Sequence, residues 1–149
     1  MKLVDRDETV LLVIGMERED DGPDERDREL AETIRTEIDG RADGQPYRRA
    51  VVVGAQEFLD RPELHRHPTI SVGGPGVNAV SERLVGELPT LWRHEDRAFV
   101  QAELDDSRRI AIWGMDATAT GLAVDAFLTE GYLDVLLDRI WRVKPTTFM

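Results

Sequence analysis

Thr69-Ile-Ser-Val-Gly-Gly-Pro-Gly-Val-Asn-Ala-Val-Ser-Glu-Arg-Leu84 passes from a short β-branched run through a glycine-proline turn into a helical pattern without a gap. Thr69 to Val72 suit a strand. Gly73 to Gly76 can take backbone angles closed to other residues, and Val77, Val80, Leu84 and Leu88 then recur at helical spacing. The same construction returns downstream. Ile110-Ala-Ile-Trp-Gly-Met leads into Asp116, a residue type that caps helices. Leu122, Ala123, Ala126 and Phe127 then follow at helical positions, with Gly131 as the stop.

The remaining segments fit around these two units. Thr9-Val-Leu-Leu-Val-Ile-Gly15 and Ala50-Val-Val-Val-Gly-Ala55 are near-continuous apolar runs that meet glycine, the pattern of strands covered on both faces in a parallel sheet. Leu30, Ile34 and Ile38 before Gly40 mark an amphipathic helix. Between Gln56 and Pro68 the pattern is irregular, and Pro62 and Pro68 limit any helix to a turn or two. Thr90-Leu-Trp-Arg93 is a further short strand candidate. Ala98, Val100, Ala102 and Leu104 alternate with Gln101 and Glu103 as in a half-exposed strand, and Asp105 to Arg108 would turn the chain back into an antiparallel strand from Arg109 to Gly114. Leu133, Leu136, Leu137 and Ile140 fit a closing helix.

Strands alternating with helices predict a single α/β domain over residues 1–149, the length of one domain. The expected architecture is a three-layer α/β/α sandwich on a mostly parallel sheet of about five strands, with one hairpin in the C-terminal half. Glycine-ended strands would set Met16, Gln56, Gly73 to Asn78 and Met115 to Asp116 along one carboxyl edge, where open α/β sheets bind ligands.

Composition narrows the function classes. The formal net charge is −11, which disfavours nucleic acid and anionic membranes as partners because both require basic surface. No apolar run approaches the ~20 residues of a membrane span, and Met1 to Glu8 lack an export signal, so a cytoplasmic location is expected. The absence of cysteine excludes thiolate metal sites and a cysteine nucleophile. Lys2 and Lys144 are the only lysines among 19 basic residues. Abundant carboxylates with few lysines suit either a salt-adapted, halophilic surface or an arginine-favouring codon bias.

Five groups of residues invite a chemical reading. Gly74-Pro-Gly-Val-Asn-Ala79 spells G-x-G-x-x-A after a strand, so the turn could hold a small anion on backbone N–H groups. Glu95 or Asp96 would be the acid for a ribose, although Pro75 has no N–H to donate. The candidate ligand-binding residues are therefore Gly73, Gly74, Gly76, Asn78, Asp116 and Glu17. Glu17, Glu19, Asp20 and Asp21 follow the first strand, where carboxylates can hold a metal, but no lysine lies at a later strand end and a solvated loop is the simpler reading. Glu63, His65, His67 and His94 could offer zinc ligands, yet alternate positions in a proline-bounded loop do not force convergence. Ser71, Ser81 and Ser107 sit in no nucleophile elbow, so no catalytic residue, metal or cofactor is expected. Trp92, Trp113 and Trp141 are too scattered for a stacking platform and read as core.

Gly73-Gly-Pro-Gly-Val-Asn78 followed by Ile110-Ala-Ile-Trp-Gly-Met-Asp116 resembles the α/β domains of archaeal surface-layer (S-layer) glycoproteins over about Thr69 to Glu130. Those domains carry a similar G-G-P-x-x-N turn and, later, a strand, a glycine and an alanine-rich helix. The resemblance implies assembly or scaffolding without catalysis, whereas this chain shows no threonine-rich stalk or anchor. Two functions therefore remain open. One is a non-catalytic binding or assembly domain, whose partner is another protein or a further copy. The alternative is a nucleotide- or phosphoester-processing enzyme with its anion at the Gly74–Ala79 turn and Glu17 or Asp116 as ligand or base.

Overall fold

The computed structural model describes residues 8–15, 25–45 and 47–141. In chain order these form β1 (Thr9–Ile14), α1 (Glu25–Gly40), β2 (Arg49–Gly54), α2 (Ala55–Asp60), a 3-10 turn (Pro62–Arg66), β3 (Thr69–Val72), α3 (Ala79–Leu84), β4 (Thr90–His94), β5 (Ala98–Glu103), β6 (Arg109–Gly114), α4 (Ala117–Thr129) and α5 (Tyr132–Ile140). One sheet takes all the strands in the order β2-β1-β3-β6-β5-β4. Its first four members are parallel; β5 returns antiparallel to β6, pairing Ala98 with Gly114 and Glu103 with Arg109, and β4 lies antiparallel to β5. The sheet has six strands rather than about five because Thr90–His94 does pair, at the edge and with a register shift between Thr90 and Trp92.

The apolar run of β1 is a central strand because both of its faces are covered, whereas β2, expected to be equally buried, lies at the sheet edge with Val51, Val52 and Val53 only half-buried. Val10, Leu12 and Ile14 of β1 pack with Ile34 and Ile38 of α1, Phe127 of α4 and Leu136 of α5, while Leu11 and Val13 face Phe58 of α2 and Val80 and Leu84 of α3. Each large apolar side chain removed from water on either face contributes roughly 1.5–3 kcal/mol. The result is a thick helical layer of α1, α4 and α5 on one side and a thin layer of two short helices on the other.

Two local expectations are corrected. Helix α3 is shorter than the pattern from Val77 to Leu88 suggests, because the Asn78 side chain caps it and Val77 lies before it, exposed. Gln101, expected on a solvated face, is buried: its amide nitrogen donates to the carbonyls of Val85 (3.0 Å) and Leu88 (2.9 Å) just past α3, and its oxygen accepts from Trp113 Nε1 (2.7 Å). A polar residue in an alternating strand can thus face a second layer when that layer ends in unsatisfied carbonyls.

Candidate crevice at the carboxyl edge

The chain leaves β3 for α3 on the thin face and leaves β6 for α4 on the thick face. Adjacent strands whose connections part to opposite faces leave a gap between them, the usual ligand position in open α/β sheets. A crevice of about 440 Å³ occupies this gap. Gly74, Pro75, Gly76 and Val77 form one wall, Trp113 to Ala117 the other, and Asp27 of α1 and Thr120 of α4 complete it.

The turn after β3 is tightly determined. Gly73 has φ of +110°, and a Cβ there would meet Asp27 Oδ2 at 2.6 Å, so this position needs glycine twice over. The N–H groups of Val77 and Asn78 both donate to the Gly74 carbonyl, at 3.1 and 2.9 Å. Asn78, almost completely buried, uses its whole amide: Nδ2 donates to Val13 O (3.1 Å) and Val72 O (2.9 Å), and Oδ1 accepts from Val80 N (2.9 Å) and Ser81 N (3.2 Å). One side chain therefore joins β1, β3 and the start of α3. Against it, Gly15 at the end of β1 lies so close to the Val77 carbonyl that a Cβ would stand 1.9 Å from its oxygen, which closes the neighbouring gap between β1 and β3.

On the opposite wall Asp116 caps α4, its Oδ1 accepting from Ala119 N at 2.8 Å, while Oδ2 pairs with Arg97. The Thr120 hydroxyl accepts from Gly114 N (3.0 Å) and donates to Asp116 O (3.0 Å). The same α4 end fits closely over Gly114, where a Cβ would lie 2.4 Å from the backbone of Ala119 and Thr120. Trp113 is fixed by a ring contact with Phe99 at 4.4 Å as well as by Gln101. A second, shallower hollow of about 360 Å³ on the far side of Asp116 is lined by His94, Arg97 and Leu122 among others.

Of the candidate residues, Gly74, Gly76 and Asp116 meet in the crevice; Gly73 lies behind its wall, Asn78 is buried beneath it, and Glu17 falls outside the described residues. Within the glycine turn it is Gly73, not Gly76, that takes a positive φ, and a Cβ on Gly76 would meet nothing. Asp27 was not among the candidates. Its signal was available: it precedes Ala31, Ile34 and Ile38 by four, seven and eleven residues, which places a carboxylate on the apolar stripe of α1, where it is 4% exposed.

The histidine loop is structural in its geometry. His65 Nε2 lies 2.7 Å from the Phe58 carbonyl oxygen and His67 Nδ1 3.2 Å from that of Thr9, while His94 stands on the far edge strand. Half-buried Arg109 donates to the carbonyls of His65 and His67 and to Thr69 Oγ1, and its burial lowers the guanidinium pKa. Ser71 and Ser81 bond each other in the core at 2.7 Å. Among the described residues no three histidine or carboxylate side chains gather as a metal site, and no helix is long and apolar enough to cross a membrane. Comparison with protein-family models, curated proteins and solved structures found no significant match to this chain.

Proposed function

We propose that the chain is a non-catalytic α/β domain that binds or assembles, with a protein partner or another copy of itself, and that the crevice between β3 and β6 is where it does so. One observation carries the reading. Most polar groups of the glycine turn hold the fold: Pro75 has no N–H, Gly73 donates to Ile112, Val77 and Asn78 donate to Gly74, and the N–H groups of Val80 and Ser81 belong to the Asn78 side chain. Little remains there to cradle a phosphate, and the carboxylates of Asp27 and Asp116 oppose one. The surface-layer likeness of residues 69–130 points the same way, as a likeness of domain design; the compartment proposed is the cytoplasm, and the surface is proposed to be salt-adapted.

The phosphoester-processing alternative has one feature in its favour, the position of the crevice at the point where the connections diverge. Two measurements separate the readings. Sedimentation velocity over a range of concentrations, with and without high salt, should reveal self-association or a constant monomer awaiting a partner. Thermal shifts with nucleotides and divalent metals should stay flat, whereas a ligand at ~100 times its dissociation constant would add about 2.7 kcal/mol. Turnover of a nucleotide or phosphate ester, abolished by Asp116→Asn, would overturn the proposal.

A further inference from the structure

We propose that the β3–β6 crevice receives an organic cation, a guanidinium or ammonium on an apolar stem, as an arginine or lysine side chain of a protein partner presents it. This deepens the binding reading above and rests on it. The volume, about 440 Å³, lies in the range of small-ligand clefts. Among the described residues two carboxylates line it, Asp27 and Asp116, and no arginine or lysine does. Both have partners inside the protein, but a carboxylate oxygen accepts from more than one donor, so those bonds leave capacity for an incoming N–H.

The walls suit the rest of such a side chain. Trp113 is held in place by Phe99 and Gln101, and an indole is the ring that attracts a cation best. At the rim, Val77 is 56% and Met115 64% exposed, two of the most exposed large apolar residues described, where an alkyl stem would cover them. An anion would meet the reverse: two negative groups and a turn in which Pro75 has no N–H and those of Gly73, Val77 and Asn78 are already bonded. The net charge of −11 adds a long-range attraction for a basic partner.

The test uses the whole chain, labelled with nitrogen-15, and blocked arginine (N-acetyl-arginine-N-methylamide) as the probe, with blocked citrulline as its uncharged near-isostere. Two-dimensional NMR should show saturable shifts at the amides of Gly74, Gly76, Met115 and Ala117 and at the Trp113 indole with arginine, and at least threefold weaker binding with citrulline. Trp113→Phe and Asp27→Asn should each weaken the arginine response severalfold. Should Asp27→Asn fail to fold, Asp116→Asn, which keeps a cap on α4, replaces it. Equal binding of the citrulline probe, shifts confined to His94, Arg97 and Leu122, or no saturable shift at all would overturn the inference. If the cation fails while sedimentation still shows assembly, the inference falls alone. If adenosine monophosphate shifts the same amides and is turned over, the binding reading falls with it.

Discussion

Gly73 and Gly76 belong to one turn, yet a methyl group added to each meets different surroundings. At Gly73 it would be forced into a positive-φ backbone and against Asp27. Gly73→Ala should therefore cost about 1–3 kcal/mol in strain alone, while Gly76→Ala, in open space, should stay within about 1 kcal/mol of wild type in urea titrations. Equal costs would refute this account of the turn. Asn78 allows a sharper contrast. Asparagine and aspartate are near-equal helix caps, but Asn78 also donates to two buried carbonyls. Asn78→Asp would keep the cap and aim a carboxylate at Val13 O and Val72 O, so it should destabilise at least as much as Asn78→Ala, by about 3 kcal/mol or more. Denaturant midpoints showing aspartate to be well tolerated would reduce Asn78 to a simple cap.

The turn between β5 and β6 carries its own pH response. The Glu103 carboxylate accepts from the backbone N–H groups of Ser107 (2.6 Å), Asp106 and Asp105, and the bonds from Ser107, foremost, and Asp106 hold its pKa below the usual glutamate value. A depressed folded pKa means stabilisation that is complete above the unfolded pKa and lost as pH falls through the folded one. Wild type should thus lose its advantage over Glu103→Gln as pH falls below the ordinary glutamate range, about 4.3; urea midpoints for both proteins across that range would show it, and a constant difference would refute it. Elements with strong local signals were legible in the sequence: the apolar runs of β1 and β2, the stripe of α1, the Asp116 cap and the β5–β6 hairpin. What escaped depended on partners distant in the chain. Gln101 is buried because α3 ends beside it, and Asp27 became part of the crevice only when α1 packed beside the turn after β3.

For the molecule as a whole, a net charge of −11 implies self-repulsion that salt should relieve. The urea midpoint of the wild type should rise between low and high salt, whereas the costs of Gly73→Ala and Asn78→Ala should hardly change, being strain and lost hydrogen bonds. A midpoint indifferent to salt would remove the salt-adapted reading of the surface. At the edge of the sheet opposite the crevice, Trp141 Nε1 donates to Glu8 O (2.8 Å), and Arg48 reaches both Glu8 Oε2 (2.9 Å) and Trp141 O (3.0 Å). The first and last described residues are therefore stapled to each other and to the entry of β2. Between Glu8 and Trp141 the described residues are topologically nearly a ring, and a ring can be cut elsewhere. A circular permutant joined through a flexible linker and opened in the exposed loop at Asp43–Gly44 should still fold cooperatively, with an unchanged urea m-value by circular dichroism. Because residues 8 and 141 meet on the edge of the sheet opposite the crevice, a linker that joined them would lie on that rim and leave the crevice mouth clear.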